Sequence, residues 1–503
     1  MLLPIRRPRR LRVDTTTVAA AVVGLLAVAI SAIGSWIPSL WGDEAASLLS
    51  AERPLPTLLV EVRHVDAVHG TYYLFLHFWI ELFGTSPFAI RFPSALAVGV
   101  CVAAVVLLGA RMRSLRFGVA AGVICALLPR MSYVGEEARS YAMTAAVAAW
   151  LTLLLVTALS RHGRTGRIWA AYGILLGVGT YLFMYIALLA IAHGIVLLIT
   201  ARRRRVLVPF AIAAGSAALA AAPLIVMGAL ERRQIAFLAH RDMLAPQVVL
   251  VNTWFGSDWF AILGWVLVLG GIAVALVPWL RQRGGSARRP IDLLVVAWLV
   301  VPSAILIGTS PIVAGFTSRY LTLCAPAVAL LMTMCLGFLA TRWRPALALG
   351  TVVVAAAAIL PWAAERGPYA QNNSDWAEIS AHLQHVARPG DAVVFDEGVR
   401  PSRRPRLALR TYPISTPLRD PMLAAPFWRT DTWYDATTPI HDAVAEGRFA
   451  GITRIWVVEY ATGAHVDHYG LAELEGIGFR PGRELAEHTS RIIELTRGAA
   501  PGE

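Results

Sequence analysis

The residues best suited to chemistry in this sequence are acids and arginines grouped at the ends of apolar runs. In WGDEAASLLS, Trp41 to Ser50, Asp43 and Glu44 stand directly after the apolar run from about Thr17 to Leu40. Ionised acids at a membrane boundary are costly unless solvated or paired, so this pair is a candidate for function as well as a plain helix cap. A second group follows about twenty residues on: Asp66 in RHVDAVHGTYY, with His64 and His69 beside it and Tyr72 just after. Two acids in one loop suit flanking a hydroxyl, one as general base and one orienting it. They would also suit a divalent cation together with His69, but no metal-ligand spacing is explicit, so no metal is assigned.

Two more groups lie further along. GEEARSYAM holds Glu136, Glu137, Arg139 and Tyr141, and FTSRYLTLCAPA holds Arg319 and Tyr320. The first reads either as the start of a helix, where acids are favoured by the dipole, or as a group that binds substrate and positions a base. In the second, Arg319 either snorkels to lipid headgroups or clamps a lipid-linked phosphate with its guanidinium fork. Arg91 in FAIRFPSAL carries the same ambiguity with a weaker claim. Arg232, Arg233, His240 and Arg241 add positive charge in the loop 230–257 as phosphate or acceptor contacts, while Trp254 and Trp259 read as interface anchors.

The elements that must position these groups are mostly membrane helices. Of 503 residues 57% are hydrophobic and 15% charged, and the mean hydropathy is +0.60, which excludes an ordinary soluble protein. The net charge of +13 comes entirely from arginine, in short clusters between apolar runs, the pattern of cytoplasmic membrane loops and not of a nucleic-acid partner. Cys101, Cys125, Cys324 and Cys335 lie inside apolar runs and read as packed thiols.

Runs long enough to cross a bilayer lie near 17–40, 88–110, 117–131, 139–160, 168–183, 184–200, 207–229, 258–280, 291–309, 319–340 and 345–363, about eleven transmembrane helices. The first follows RRPRRLR and has no clear small-residue cleavage site after it, so it reads as a retained span. With the N-terminus cytoplasmic, eleven spans put every later arginine cluster on the cytoplasmic side. Counting TYYLFLHFWIELFG, 71–84, as a further span would reverse that order, so it is expected to lie at the interface. Asp43, Asp66, Glu137 and Arg319 then all face outside.

Composition changes after Trp362, and residues 364–503 read as a soluble outer domain. HLQHVARPGDAVVFDEG suggests helix, turn and buried strand, and TRIWVVEYA and SRIIELTR suggest further strands, so a small α/β layer is expected. The division is thus 1–363 as the membrane catalytic domain, with the acidic motif in the outer loop 41–87, and 364–503 as the extracytoplasmic α/β domain.

The order of WGDEAASLLS, DAVHGTYYLFLHFWIELFGTSPFAIRFPSAL, GEEARSYA and FTSRYL resembles the GT-C membrane glycosyltransferases. The branch it is similar to is family 39-like, related to protein O-mannosyltransferases and bacterial lipid A aminoarabinose transferases. The resemblance is strongest over about 35–145 and does not cover the tail. Here His69 is followed by Gly70 and Thr71, where many relatives carry proline. By that resemblance Asp43 matches the catalytic base and Glu44 an acid assisting it. Asp66 and His69 match the second outer-loop motif, and Arg319 and Tyr320 would meet the donor phosphate. Tyr72, Glu137, Arg139 and Tyr141 complete the expected substrate-binding set.

The resemblance implies an inverting transfer of a monosaccharide from a polyprenyl-phosphate donor, with mannose first and arabinose next. The acceptor would be a cell-envelope glycan, glycolipid or protein hydroxyl at the outer face of the cell membrane; no cofactor is implied. Two other classes compete. A transporter or lipid flippase calls for charge near the bilayer midplane and inverted repeats, and the sequence offers neither. A membrane-anchored binding protein working through 364–503 would not need so many spans.

Overall fold

The computed structural model describes residues 14–161, 163–200, 204–231, 242–281, 290–313, 315–462 and 468–498. Arg232, Arg233, His240 and Arg241 lie outside them, as do the N-terminal arginine cluster and Arg202, Arg283, Arg288 and Arg289. Each of the eleven apolar runs contains helix, because backbone groups inside a bilayer must satisfy one another. From the N-terminus the helices are α1 (Thr15–Ala32), α2 (Gly42–Ala51), α3 (Leu55–Glu61), α4 (Gly70–Phe83), α5 (Pro87–Met112), α6 (Leu115–Leu127), α7 (Pro129–Gly135) and α8 (Tyr141–Ser160). They continue as α9 (Gly166–Leu182), α10 (Ala187–Thr200), α11 (Arg204–Leu230), α12 (Asp258–Arg281), α13 (Pro290–Thr309), α14 (Ala325–Leu339), α15 (Ala346–Ala364) and α16 (Trp376–Val386).

The count of eleven spans is not reached. Among the described residues eight helices are long and apolar enough to cross a membrane, or up to nine with α6 and α7 taken as one span bent by 62°. The bend follows from Pro129, which pushes Leu128 out of helical geometry to ψ 128. The runs 168–183 and 184–200 fall short because Phe183 takes an extended conformation, φ −165, ψ 118, and cuts them into segments of 17 residues. At that length they stand at the lower limit for spanning. α4 has only 14 residues; it buries Tyr72, Tyr73 and Leu76 and leaves Phe75, Phe78, Leu82 and Phe83 exposed. That two-sidedness suits a helix lying along an apolar–polar boundary.

After α15 the chain forms a four-stranded sheet from β1 (Ala392–Phe395), β4 (Arg454–Tyr460), β5 (Phe479–Ala486) and β6 (Ser490–Arg497), in the order β1-β4-β6-β5. A separate two-stranded ribbon pairs β2 (Leu423–Ala425) with β3 (Ala436–Thr437). β1 runs parallel to β4, with Ala392 opposite Ile455, and the other neighbours are antiparallel. AVVF in β1 is buried throughout because apolar clusters cover both faces of the sheet.

One short helix joins this sheet unit to the membrane bundle. α2 uses small residues to pack tightly on several sides at once. Ala45 and Leu49, one turn apart, belong to the apolar cluster of Trp376, Val393, Phe395 and Trp456 in the sheet unit. Leu48 and Ala51 face the opposite way, into a cluster with Leu58, Tyr72, Tyr73 and Leu76. The chain before α2 is tied as well: the Leu40 amide donates to the Tyr412 hydroxyl at 2.8 Å, and the Ser39 amide to the Pro368 carbonyl at 2.8 Å. The first turn of α2, which carries Asp43 and Glu44, is therefore fixed by both parts of the molecule.

Candidate active site

Asp43 and Glu44 are adjacent in sequence, and the helix turns their carboxylates to different surroundings. Both stand in the first turn of α2, where unpaired amides favour acids. Asp43 lines a cavity of about 760 Å³. Its Oδ2 lies 2.6 Å from Nη1 of Arg319, and the same nitrogen is 2.8 Å from Oε1 of Glu137. The guanidinium also faces the rings of Trp41, at 4.8 Å, and Tyr141, at 5.5 Å. Arg319 comes from the 3₁₀ turn Ser318–Cys324, which leads directly into α14.

Glu44 is fully buried and points away from that cavity. Its oxygens accept from Nε and Nη2 of Arg91 at 2.7 and 2.6 Å, and Oε1 also accepts from the Ala138 amide at 2.9 Å. Nη1 of Arg91 in turn donates to the carbonyls of Ser35 and Pro38 at 2.6 and 2.8 Å. Glu44 and Arg91 thus form a buried fork that holds the loop before α2 and the turn before α8. Arg91, expected to have only a weak functional claim, is the partner that orients this loop.

The second acidic group reaches the cavity through a strained turn. Asp66 sits at φ 58, ψ 32, a left-handed conformation that aspartate tolerates better than most residues. Its Oδ2 accepts from the Tyr73 hydroxyl at 2.9 Å, and that hydroxyl accepts from Nη1 of Arg139 at 3.0 Å. Arg139 also donates to the Ser47 hydroxyl at 3.2 Å, closing a chain from Asp66 back to α2. Burial raises the Asp66 carboxyl above its ordinary 3.8, although Arg139 and Tyr73 pull it down. His69 is 4% exposed and stacks at 5.9 Å on Phe183. Burial, Arg139 and Arg319 all hold it well below 6.5, so it is a neutral imidazole.

Seven of the ten expected residues line the one cavity: Asp43, Asp66, His69, Arg139, Tyr141, Arg319 and Tyr320. Glu137 stands behind Arg319, fully buried, with its carboxyl pushed up by burial despite that partner. Tyr72 does not reach the cavity. Fully buried, it packs in the apolar cluster with Leu40, Leu48 and Leu76 behind the lining residues, so in place of the expected substrate contact it has a packing role. Among the described residues no group of three or more His, Cys, Asp or Glu side chains is arranged to hold a metal ion.

The fold that carries this site recurs in known proteins. A family profile described as dolichyl-phosphate-mannose-protein mannosyltransferase matches residues 71–227. ArnT from Cupriavidus metallidurans in the apo state superposes with a TM-score of 0.60 at 12% identity, over 96% of this chain and 98% of that one. The same protein bound to undecaprenyl phosphate gives 0.57 at 13% identity, over 95% and 98%. The archaeal oligosaccharyltransferase AglB from Archaeoglobus fulgidus, in complex with an inhibitory peptide and a dolichol-phosphate, gives 0.50 at 12% identity, over 94% and 74%. No curated protein matches the sequence. The chain has the fold of these membrane glycosyltransferases, the GT-C fold.

Several residues that line the cavity were not among those expected from the sequence. Arg130 and Tyr133 enter because the α6–α7 bend turns α7 toward the site; Nε of Arg130 donates to the Thr253 carbonyl at 2.8 Å. The Pro129 break was the available signal. Glu365, the first polar residue past the last apolar run, also lines the cavity, its carboxyl pushed up to about 8 by burial. Arg400, Pro401, Ser402, Arg403, Trp433 and Tyr434 close the cavity from the sheet unit. Nothing in their local sequence signals this, because the contact is set by how the sheet unit docks on α2.

Proposed function

We propose that this protein is a membrane glycosyltransferase that moves a monosaccharide, mannose first, from a polyprenyl-phosphate donor to a hydroxyl of a cell-envelope glycan, glycolipid or protein. The single observation that carries the reading is the Asp43–Arg319 contact of 2.6 Å at the cavity, a carboxylate and a guanidinium where a base and a phosphate clamp are both needed. The reading is supported by the family description, which names a dolichyl-phosphate-mannose donor, and by fold relatives bound to undecaprenyl phosphate and to a dolichol-phosphate. A pentose such as arabinose is the alternative sugar.

Asp43 takes the proton of the acceptor hydroxyl as its oxygen bonds to the anomeric carbon. The bond from that carbon to the phosphate oxygen breaks, and the electron pair leaves with the lipid phosphate, whose added charge Arg319 stabilises. The anomeric centre inverts. Arg319 pairs with Asp43, and a donor phosphate that engages the same guanidinium competes for it and weakens its hold on the carboxylate. Donor binding thus readies the base. Glu137 keeps Arg319 in place during the exchange, and Asp66, braced by Tyr73 and Arg139, orients the sugar or the acceptor.

The reaction belongs on the outer membrane face. The reading takes α6 and α7 as one bent span: nine spans, or eleven with α9 and Met184–Thr200 added, are both odd and support a sheet unit opposite a cytoplasmic N-terminus, whereas eight would not. The test offers full-length protein in nanodiscs radiolabelled polyprenyl-phosphate mannose and, separately, the arabinose donor, with envelope extract as acceptor. Transfer from one of the two is expected, with donor binding weakened at least tenfold in Arg319→Gln. The absence of both transfer and donor cleavage with either lipid would overturn the reading.

A further inference from the structure

The cavity has a wall that the donor chemistry does not use. Arg403, Trp433 and Tyr434 belong to the sheet unit, yet they line the same space as Asp43 and Arg319. The 3₁₀ turn Pro401–Arg403 lies directly on the first turn of α2: a Cβ at Gly42 would stand 2.3 Å from the Ser402 carbonyl oxygen. The absent side chain at Gly42 is what lets this turn close over the residue that carries Asp43.

Arg403 is the unusual member of an arginine-rich segment. Arg404 and Arg406 are neutralised by Glu397, at 2.8 and 2.7 Å, and Arg406 also pairs with Asp420. Arg403 donates instead to the uncharged Tyr460 hydroxyl, with its guanidinium 5.6 Å from that ring, and its Nε is buried with no hydrogen-bond partner. Among the described residues no carboxylate lies within 4.0 Å of it. A half-buried guanidinium without a counter-ion, lining a cavity, is a fork for an external carboxylate or phosphate. Beside it the Trp433 and Tyr434 rings, with centroids 5.3 Å apart at 85°, offer an aromatic surface with polar edges.

We propose that Arg403, Trp433 and Tyr434 form the acceptor subsite, and that the acceptor is an acidic saccharide. The inference rests on the proposed donor chemistry: the donor phosphate occupies Arg319, so a second anion held at Arg403 belongs to the other substrate. The ring stacks on the aromatic pair, its anionic group engages Arg403, and a neighbouring hydroxyl is presented to Asp43 across the turn that Gly42 accommodates.

The test is binding of short saccharides to the full-length protein in detergent by titration calorimetry. The probes are trigalacturonate, carrying carboxylates, a phosphorylated mannotriose, and neutral maltotriose. One of the acidic probes is expected to bind at least about tenfold more tightly than maltotriose. That preference should disappear in Arg403→Gln and persist in part in Arg403→Lys, which keeps the charge and guards against misfolding; Trp433→Ala should weaken all binding. Equal affinity for acidic and neutral probes, or an unchanged preference in both Arg403 variants and a folded Trp433→Ala that binds normally, would overturn the subsite. Polyprenyl-phosphate binding is read separately on the same preparation: its failure alongside an intact acid preference removes the donor reading and leaves the subsite standing.

Discussion

Asp43 and Glu44 look equivalent in sequence, but their burial separates them. Glu44 has no exposure and three strong donors, so removing its charge leaves Arg91 buried without its partner. Glu44→Gln is expected to destabilise the fold by about 3–5 kcal/mol, seen as a fall in thermal midpoint, and Glu44→Gln with Arg91→Met should recover part of it. An unchanged midpoint would return Glu44 to the cavity. His69 gives a pH prediction. Its imidazole is held well below 6.5 when folded and titrates near 6.5 when unfolded, so below that pH the unfolded chain binds a proton the folded one does not. Stability is therefore level above pH 6.5 and falls by up to about 1.4 kcal/mol per pH unit as pH drops below it. His69→Gln should flatten that slope between pH 6.5 and 5, followed by thermal midpoints at intervals; a parallel slope would refute it. Of these residues, Asp43, Asp66 and Arg319 were legible because charge at the end of an apolar run is expensive enough to need a reason. The Glu44–Arg91 pairing was not, since nothing local to either residue says that they meet.

At the scale of elements, α2 is held from both sides, and its stability depends on parts of the chain far apart in sequence. Leu49 is buried against Trp376, Val393 and Phe395 of the sheet unit. Leu49→Ala is expected to cost about 2–5 kcal/mol and to speed amide exchange in α2 and α16 together. Exchange confined to α2 would mean that the two elements do not share a core. Gly42→Ala tests the neighbouring contact: the added methyl meets the Ser402 backbone, so the turn 401–403 must shift and transfer should fall while the fold survives. The helices themselves were legible from runs of apolar residues. Their lengths were less so, because single residues such as Phe183 and Pro129 break a run without lowering its hydropathy.

For the whole molecule, the cavity is a joint product of the bundle and the sheet unit. Residues from 41–46, 65–69, 129–141, 317–320, 365 and 400–434 converge on it. The sequence located the change at about 363 and the α/β character of residues 364–503, both local properties of composition and alternation. It could not place the sheet unit over Asp43, because that docking is specified by long-range packing of Ala45 and Leu49. The proposed orientation makes a prediction at this scale. The native cysteines lie within the bundle, three of them buried, so a cysteine introduced at exposed Ala450 gives a clean label. In intact cells a membrane-impermeant maleimide should react with Ala450→Cys from outside, and protection there would reverse the topology.

The most direct test of the account is single-turnover transfer from radiolabelled polyprenyl-phosphate mannose, or whichever donor proves active, by Asp43→Asn in nanodiscs, with donor affinity measured on the same sample. Asparagine keeps the shape and cannot take the proton. The account predicts transfer slowed roughly a hundred- to ten-thousand-fold with donor still bound. Transfer at the native rate would contradict it.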